Sequence, residues 1–278
     1  MPELPEAETV ARQLRSGIVG GCLTQWRIGR ADIVREGLAT AGWYQGGKII
    51  DVNRVGKSVV LTVAKGDERR HMAAELGMTG LLLFRLPSPR YEKHTHVTLT
   101  FSGCQESALH YWNPRRFGRM YLLDDAGLAR FVKRRFGIDP LTASWTEFHR
   151  VVSGRRGRVK ALLMHQQAIA GIGNIYANEI LFRAGLHPHR IAARLREPAI
   201  RRLYDCMQDV FAQAIEAGGS SIRDFIAPDG RQGRFGRQHL VYNKTGQPCP
   251  NPGCHRVIRR LTGERSSFYC PACQPRSR

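Results

Sequence analysis

The chain has 278 residues, which is enough for two domains that each bury a core. Its 43 Lys and Arg residues outnumber its 23 Asp and Glu residues. The formal net charge of +20 indicates a polyanionic partner, with nucleic acid as the first choice and a ribosome or an anionic membrane as the others. No apolar run approaches the ~20 residues that span a membrane, and the opening MPELPEAETV lacks the apolar core of a signal peptide. We therefore expect a cytoplasmic, DNA-associated protein with no membrane partner.

The first part of the chain is predicted to be one helix followed by strands. Apolar residues at the spacing of one helix face predict a helix over residues 5–14. Residues 1–132 are interpreted as a β-rich domain, a sandwich or flattened barrel with this helix packed on it. Apolar or alternating runs between glycine-rich breaks predict that most of it is strand, with examples at 48–52, 58–64, 81–84, 94–101 and 120–123.

The second half of the chain has the periodicity of helices. After a linker at 133–144, we place a helical domain at 145–236, which ends in a glycine-rich polar stretch at 218–236. Residues 237–278 form a separate cysteine-rich end. The expected fold class is therefore α+β with several domains. The predicted helices are 145–152, 158–167, 175–184 and 197–217.

Four of the seven cysteines lie close together near the end of the chain. They form a C-x4-C pair and a C-x2-C pair, a pattern typical of one structural zinc ion held by four thiolates. Two disulfides or free thiols are the alternative, which a reducing compartment and the paired spacing disfavour. Residues 256–268 between the pairs predict a β-hairpin that turns near Thr262-Gly263 and depends on the metal for its folding energy. The predicted ligands are Cys249, Cys254, Cys270 and Cys273.

The N-terminus combines a proline with two carboxylates. Methionine before proline is normally removed in cells, which leaves the secondary amine of Pro2 free. An α-amino group has a pKa of about 8, so part of it is unprotonated at neutral pH and can attack an aldehyde-level carbon to form an iminium. Glu3 and Glu6 lie within one turn, where one carboxylic acid can donate a proton and the other can orient the amine. The residues alone favour a simpler explanation, because the helix dipole stabilises acidic side chains in a first turn.

Specific motifs occur along the whole chain. They are PELPEAET at 2–9, GMTG at 77–80, KHTH at 93–96, NPRRFG at 113–118, AGIGNIYANEILFRAGLHP at 170–188, and the segments 220–225, 241–242 and 265–273. Together they make the chain resemble the formamidopyrimidine-DNA glycosylase and endonuclease VIII family nearly end to end. The resemblance implies a catalytic N-terminal β-sandwich with flanking helices at 1–132. It also implies a helix–two-turn–helix DNA-binding domain with a lesion-capping loop at 145–236, and a zinc-ribbon hairpin at 237–278.

The resemblance implies catalytic roles for five residues. Pro2 would form a Schiff base with the sugar, Glu3 would donate a proton to the sugar, and Glu6 would support them. Lys57 matches a lysine that transfers protons and holds a phosphate. Arg265 matches an arginine that clamps phosphates and assists the last elimination. Without the resemblance, Lys57 would be a surface lysine before a strand and Arg265 a solvated arginine.

Eight further residues match DNA-contacting positions. Met78, Arg115 and Phe117 would fill the gap left by an extruded nucleotide, because flipping a base costs a few kcal/mol that inserted side chains partly offset. Core packing is the alternative for Met78 and Phe117. Asn174 begins a helix, where free backbone amides suit a phosphate, and a plain N-cap is its alternative. The remaining matches are His94, Arg155, Lys160 and Tyr242.

The subfamily determines the substrate that the resemblance implies. Leu4 in PELPE and the loop at 218–236 resemble the formamidopyrimidine type, so 8-oxoguanine and formamidopyrimidines are the implied lesions. Five departures from the family pattern leave the damage preference open, although none removes a group that the chemistry needs. They are the C-x4-C zinc turn, Glu75 for a common His, Asn113 for a common Asp, Arg155 for a usual Lys, and HQQ at 165–167.

The expected function is that of a DNA glycosylase and AP lyase of base-excision repair. It would act as a monomer on double-stranded DNA that contains damaged bases or abasic sites, and β- and δ-elimination would follow Schiff-base formation. One alternative keeps the fold and changes the substrate to oxidised pyrimidines. Another is a catalytically silent damage-binding protein. An RNA- or ribosome-binding module fits the charge but not the N-terminal motif with the zinc hairpin.

Overall fold

The computed structural model describes residues 2–221, 225–263 and 265–276. The motif segment 220–225 therefore lies only partly within the described residues. In this described part of the chain, no helix is both long and apolar enough to cross a membrane.

The chain divides into two compact units. The N-terminal unit comprises Met1–Arg134 and Ala217–Gly236, and the C-terminal unit comprises Arg135–Glu216 and Arg237–Arg278. The glycine-rich segment packs with the N-terminal unit, although it follows the helices in sequence. The predicted domain boundaries stay predictions.

Helix α1 (Leu4–Ile18) carries the N-terminal motif and confirms the helix predicted over 5–14. Glu3 is its N-cap, and Pro5 lies in the first turn, where a missing N–H costs nothing. One face of the helix is at most 1% exposed and packs into the core of the N-terminal unit. This burial fixes the first turn, and hence Glu3 and Glu6, relative to the strands that follow. The buried apolar residues are Leu4, Ala7, Val10, Ala11, Leu14 and Ile18.

The described residues of the N-terminal unit contain nine strands. They are β1 (Cys22–Ile28), β2 (Val34–Glu36), β3 (Lys48–Val55), β4 (Ser58–Lys65), β5 (Glu68–Glu75), β6 (Leu81–Leu83), β7 (Thr95–Ser102), β8 (Ala108–Trp112) and β9 (Met120–Leu123). They form one sheet in the order β2-β9-β5-β4-β3-β1-β7-β8-β6. Only β2 and β9 pair in parallel. The five strands predicted from the sequence are confirmed.

The nine-stranded sheet is folded into a sandwich. A single residue pair, Cys22 and Lys48, joins β1 to β3, so the sheet is weakly paired at this point. Side chains of β4, β5 and β9 then meet those of β6, β7 and β8 across one apolar core. Their contact surrounds a small cavity lined by Leu61, Ala74, Leu82, Val97, Leu99, Leu109, Tyr111 and Met120. This arrangement confirms the predicted β-sandwich.

Helices dominate the C-terminal unit. After α2 (Asp125–Arg135), they are α3 (Trp145–Ser153), α4 (Val159–Met164), α5 (Asn174–Arg183) and α6 (Glu197–Glu216). The four helices predicted here are confirmed, but α4 is shorter than the predicted 158–167. It ends because His165 has an extended backbone. The side chain of Gln166 then accepts from the N–H of Gly171 and donates to the carbonyl of Ile172, which stabilises a turn instead of a further helical turn.

The cysteine-rich end forms the predicted β-hairpin. Strands β10 (Arg259–Leu261) and β11 (Ser267–Tyr269) pair antiparallel, with Leu261 opposite Ser267. Phe268 packs in a small apolar cluster with Phe182 of α5 and with Val241. The fold class is therefore α+β, with a β-sandwich, a helical region and a cysteine-bearing hairpin.

Candidate active site and nucleic-acid interface

Three of the predicted catalytic residues lie together at the start of α1. Pro2 is buried, and Glu3 and Glu6 are 2% and 1% exposed. Oε2 of Glu6 accepts from the N–H of Glu3 at 2.7 Å, which places the Glu6 carboxylate beside the residue that follows Pro2. Oε1 of Glu6 accepts from the N–H of Ser220 at 2.6 Å. One carboxylate therefore joins the first turn of α1 to the glycine-rich segment.

The backbone of the glycine-rich segment is packed closely against Glu6. Gly219 has φ +83°, and a Cβ on it would lie 2.8 Å from Oε1 of Glu6. A Cβ on Gly233 would lie 2.3 Å from the carbonyl oxygen of Gly219, so the two ends of the segment also approach each other. The hydroxyl of Ser221 accepts from the N–H of Gly233 at 2.8 Å. Glycine is required at 219 both by its conformation and by the lack of space.

Lys57 lies in the tight turn between β3 and β4. Val55 pairs with Ser58, so Gly56 and Lys57 form a two-residue hairpin, with Gly56 at φ +58° in the first position. Arg54 supports this turn: it donates to the carbonyl of Gly56 at 3.0 Å and to Oε2 of Glu8 in α1 at 2.9 Å. The turn is thereby connected to the helix that begins with the predicted catalytic residues.

Glu8 remains ionised in this environment. Burial alone raises its pKa, but the hydrogen bonds and charges of Arg12 and Arg54 outweigh burial and bring the pKa below its ordinary value. The side chain of Arg54 is only 5% exposed, so its contact with Glu8 is screened less by solvent than a surface pair.

Two loops present the predicted wedge residues. Phe117 is 56% exposed and Met78 39% exposed, so the core-packing alternative does not apply to either. The Arg115 guanidinium lies 4.8 Å from the centre of the Phe117 ring. A Cβ on Gly77 would lie 2.4 Å from the backbone nitrogen of Gly118, so the two loops touch through glycines. This contact brings Met78, Arg115 and Phe117 into one surface.

Asn113 holds the second of these loops in place. It is fully buried, and its side-chain amide donates to the hydroxyl of Tyr111 and to the carbonyl of Gly118. Its backbone N–H donates to the carbonyl of His94 at 2.9 Å, which places His94 beside the loop. Asn113 is one of the departures from the family pattern, and it serves here as a hydrogen-bond donor inside the loop. His96, which accompanies His94 in the KHTH motif, is bound to the backbone carbonyl of Asn113.

In the C-terminal unit, Asn174 is the first residue of α5. Gly173 is the N-cap, so the N-cap alternative for Asn174 is not what the structure shows. The side-chain amide of Asn178, one turn later, donates to the carbonyl of Asn174 at 2.6 Å. The half-buried side chain of Asn174 therefore lies beside the N-terminal backbone amides of α5. The N-terminus of a helix is a favourable place for an anion.

Arg155 and Lys160 have different environments, although both match DNA-contacting positions. Arg155 is exposed in the segment between α3 and α4. Lys160 is only 6% exposed, and its ammonium donates to the carbonyl of Ser266 at 2.7 Å and to the hydroxyl of Ser267 at 2.8 Å. The structure thus places Lys160 against the hairpin rather than on the surface.

Arg265 and Tyr242 lie near the same hairpin. Arg265 is exposed in the connection between β10 and β11. The Tyr242 ring lies 5.3 Å from the Phe268 ring in an edge-on arrangement, and its backbone N–H donates to Oε1 of Glu179 at 2.8 Å. The buried Glu179 carboxylate also accepts from the N–H groups of Leu240 and Val241. Burial raises the pKa of Glu179, and these three N–H groups oppose that effect.

The four cysteines of the hairpin form a metal site. Their sulfur atoms all lie within 4.8 Å of one another, with Cys249 and Cys273 separated by 3.7 Å and Cys254 and Cys270 by 3.6 Å. A tetrahedron with Zn–S bonds of about 2.3 Å has edges of about 3.8 Å, which matches the separations of these two pairs, whereas disulfide sulfurs lie about 2.05 Å apart. Asn251 donates to the sulfur of Cys273 at 3.1 Å. The set fits a closed, structural site for one zinc ion.

Three contacts of these clusters were not predicted from the sequence. They are Ser220 on Glu6, Arg54 on the Lys57 turn, and Lys160 on the hairpin. The Gly218-Gly219 pair before Ser220 was a signal of close backbone approach, which a glycine pair inside a polar segment often indicates. The sequence carries no comparable signal for Arg54 or Lys160, because Glu8 is 46 positions from Arg54 and Ser266 is 106 positions from Lys160.

The chain matches two family models. Residues 1–120 match the formamidopyrimidine-DNA glycosylase N-terminal domain, and residues 136–226 match the formamidopyrimidine-DNA glycosylase H2TH domain. The formamidopyrimidine-DNA glycosylase of Solibacter usitatus is 42% identical over 99% of this chain and 100% of the relative.

Solved structures also resemble the chain over nearly its full length. A complex between the Lactococcus lactis Fpg and an abasic site containing DNA has a TM-score of 0.85 at 32% identity and covers 99% of this chain and 100% of that one. A variant of the same Lactococcus lactis protein with a Fapy-dG containing DNA has a TM-score of 0.86 at 32% identity and the same coverage. The chain therefore belongs to the formamidopyrimidine-DNA glycosylase family.

Proposed function

We propose that this protein is a DNA glycosylase and AP lyase of base-excision repair that excises oxidised purines from double-stranded DNA. The observation that carries the proposal is the buried cluster at the start of α1, in which the Glu6 carboxylate binds the N–H of Glu3 at 2.7 Å beside Pro2. The proposed lesions are 8-oxoguanine and formamidopyrimidines. The protein is proposed to act as a monomer wherever the cellular DNA lies, which in a cell without a nucleus is the cytoplasm.

The first chemical step joins Pro2 to the sugar. Once Met1 is removed, the lone pair of the Pro2 nitrogen attacks C1′ of the damaged nucleotide. The C1′–N bond to the base breaks, its electron pair leaves with the base, and the base takes up the proton that the Pro2 nitrogen loses. Glu3 donates a proton to the sugar ring oxygen, which opens the ring and leaves an iminium between Pro2 and C1′. Glu6 holds the backbone of Glu3, and through it the amine, in place.

The iminium makes the strand breaks possible. It acts as an electron sink, so loss of a proton from C2′ expels the 3′ phosphate by β-elimination. Loss of a second proton expels the 5′ phosphate by δ-elimination, and water then releases Pro2. Lys57 is proposed to transfer protons in these steps and Arg265 to assist the last one. Both are cations, which also stabilise the departing phosphates.

The lesion must first leave the helix stack. Met78, Arg115 and Phe117 form one exposed surface in the N-terminal unit, and we propose that this surface enters the gap behind the extruded nucleotide. The exposed apolar side chains of this surface, Phe117 and Met78, supply the apolar contact. Arg115, held over the Phe117 ring, is proposed to face the orphaned base.

We propose that cationic side chains and the backbone amides at a helix N-terminus bind the DNA phosphates around the lesion. The N-terminal amides of α5 with Asn174, together with His94, Lys57, Arg155 and Arg265, are the proposed contacts, and Tyr242 supports the hairpin beside them. A positive charge excess of +20 predicts binding that weakens steeply with salt. The zinc ion takes no part in the chemistry; its four cysteines hold the hairpin that carries Arg265.

Borohydride trapping tests the proposal directly. The purified protein, shown to lack Met1, is incubated with duplex DNA bearing 8-oxoguanine opposite cytosine and with an abasic duplex, and borohydride is added. We expect a covalent protein–DNA band on both duplexes that maps to Pro2. Pro2→Gly should lose the band. Pro5→Ala is the matched control, because Pro5 lies in the same helical turn but has no free amine.

Each other outcome of this experiment points to a different function. A band on the abasic duplex alone would move the base preference to oxidised pyrimidines, which a lesion panel would then identify. No band on either duplex, from zinc-loaded protein without Met1, would leave a damage-binding protein and refute the enzymatic proposal.

A further inference from the structure

Lys160 is a buried cation with acceptors on the zinc hairpin. Its side chain is 6% exposed, and its ammonium donates to the Ser266 carbonyl at 2.7 Å and to the Ser267 hydroxyl at 2.8 Å. A buried ammonium without acceptors is strongly destabilising, so these two contacts are required by its position. Ser266 directly follows Arg265 in the chain. The lysine of α4 therefore binds the hairpin at the residue next to the proposed phosphate-clamping arginine.

A second polar residue binds the same strand from α5. Asn178 is fully buried, and its side-chain oxygen accepts from the N–H of Phe268 at 2.8 Å. Its side-chain amide donates to the carbonyl of Asn174 at 2.6 Å. The hairpin residues 266–268 are thus held by α4 and α5 together, and the α5 contact continues to the proposed phosphate-binding asparagine.

We propose that Lys160 is a positioning residue that sets the place of Arg265 relative to Asn174, and that it is not itself a phosphate ligand. The proposal rests on the function proposed above, in which Arg265 and Asn174 bind phosphates. The hairpin is too small to form a core that would orient it, and zinc constrains only its internal shape. Phe268 packs against Phe182 of α5, and Lys160 and Asn178 add the directed hydrogen bonds that apolar packing lacks.

A phosphate could not replace these contacts without loss. Moving the Lys160 ammonium to solvent would leave the Ser266 carbonyl and the Ser267 hydroxyl without their donor, and buried polar groups left without partners are destabilising. By contrast, Arg155 is exposed a few residues earlier, so it can contact a phosphate without such a cost. The two cations give the experiment a matched pair.

The test is a double-mutant cycle with Lys160→Met, Arg265→Ala and both together, and with Arg155→Met as the control. Zinc content and Tm are measured for each variant to show that the hairpin is folded. Ser267→Ala, which removes one of the two acceptors, replaces Lys160→Met if the latter does not fold. The readouts are kcat and KM for strand cleavage and the salt dependence of DNA binding.

We expect Lys160→Met to lower kcat for the last elimination about tenfold or more, as loss of a charged hydrogen bond implies, with zinc retained. In the Arg265→Ala background it should cause no further loss of rate or of salt dependence. Arg155→Met should lower the salt slope by about 1 in either background.

Two results would overturn the inference. If Lys160→Met lowered the salt slope by about 1 in the Arg265→Ala background as well, Lys160 would be a phosphate ligand. If it lowered Tm but left kcat unchanged, its role would be structural only. The role proposed for Arg265 can fail separately. If Arg265→Ala alone still trapped DNA at Pro2 and kept the kcat and salt dependence of the original enzyme, Arg265 would not have the role proposed for it.

Discussion

The contact between Gly219 and the Glu6 carboxylate can be tested with one methyl group. In Gly219→Ala, the new Cβ would lie 2.8 Å from Oε1 of Glu6, closer than real Cβ contacts allow. The Glu6 carboxylate must therefore move away, and the 2.6 Å hydrogen bond from the Ser220 N–H is weakened or lost. Because Glu6 also holds the Glu3 N–H, the displacement reaches the residue beside Pro2.

The expected cost has two separable parts. Alanine at a positive φ costs about 1 kcal/mol in folding free energy relative to glycine. A hydrogen bond to a charged group contributes about 1.5–3 kcal/mol, and each 1.36 kcal/mol of lost transition-state stabilisation slows a reaction tenfold. If the bond serves the chemistry, excision should slow by about 10- to 100-fold beyond any effect on stability.

Gly46→Ala separates the two parts. Gly46 has φ +81°, close to the +83° of Gly219, but a Cβ on it would meet no atom within 4 Å. In urea, Gly46→Ala should lose only the backbone cost of about 1 kcal/mol, and Gly219→Ala should lose that cost plus the contribution of the weakened hydrogen bond. Only Gly219→Ala should slow single-turnover excision of 8-oxoguanine and the rate of borohydride trapping.

Equal excision rates in the two alanine variants would refute the reasoning. That result would mean that the Glu6 carboxylate adjusts without consequence and that its contact with the glycine-rich segment serves stability alone. A slow Gly219→Ala on both the lesion and the abasic duplex would place the effect on the Pro2 step, because the abasic duplex has no base to excise.

Three further outcomes follow from the described residues. Phe117→Ala should slow excision of a paired lesion about tenfold without changing Tm, because the exposed ring is proposed to assist extrusion of the nucleotide. Leu38→Ala, at a residue that is 39% exposed, is the control. An unchanged excision rate in Phe117→Ala would contradict the wedge. Chelation should remove one zinc ion per chain and abolish binding to duplex DNA, while the far-UV circular dichroism of the β-sandwich persists. Duplex binding by zinc-free protein would contradict the role of the hairpin. Burial lowers the pKa of His239 from 6.5 to about 4, so its stabilising effect is complete above pH 6.5 and is lost as the pH falls through 4. His239→Gln should remove up to about 3 kcal/mol of pH-dependent stability between these limits, and parallel pH profiles in urea would argue against it.

Regular periodicity was enough to predict much of the fold. Helix α1 was predicted from its apolar spacing because one face of it is buried, and strand β9 from its apolar run because both of its faces are buried. Strand β5 was not predicted, since its first residues, Glu68 to Arg70, are charged and exposed or half-buried, and only the second half lies in the core. Patterns of this kind follow burial, and they fail where only part of an element is buried.

Side-chain interactions limited the prediction in the rest of the chain. The predicted end of α4 was wrong because Gln166 binds the backbone of Gly171 and Ile172, and such bonds compete with the helix without altering the apolar pattern. The candidate site could be predicted as a set of residues, since specific motifs surround each of them. Their mutual geometry could not, because Glu6 and Ser220 are 214 positions apart.

Helix α5 shows how buried polar residues specify a structure that apolar packing cannot. Asn178 and Glu179 are both fully buried, although a helix of this kind would ordinarily bury apolar side chains there. Each accepts from backbone outside its own helix: Asn178 from the N–H of Phe268 in β11, and Glu179 from the N–H groups of residues 240 to 242. Apolar replacements would pack against many backbone arrangements, whereas these acceptors match only one. The zinc ion therefore holds the hairpin together, and the polar residues of α4 and α5 determine where it lies, so chelation and substitution of Lys160 should disturb different properties of the same element.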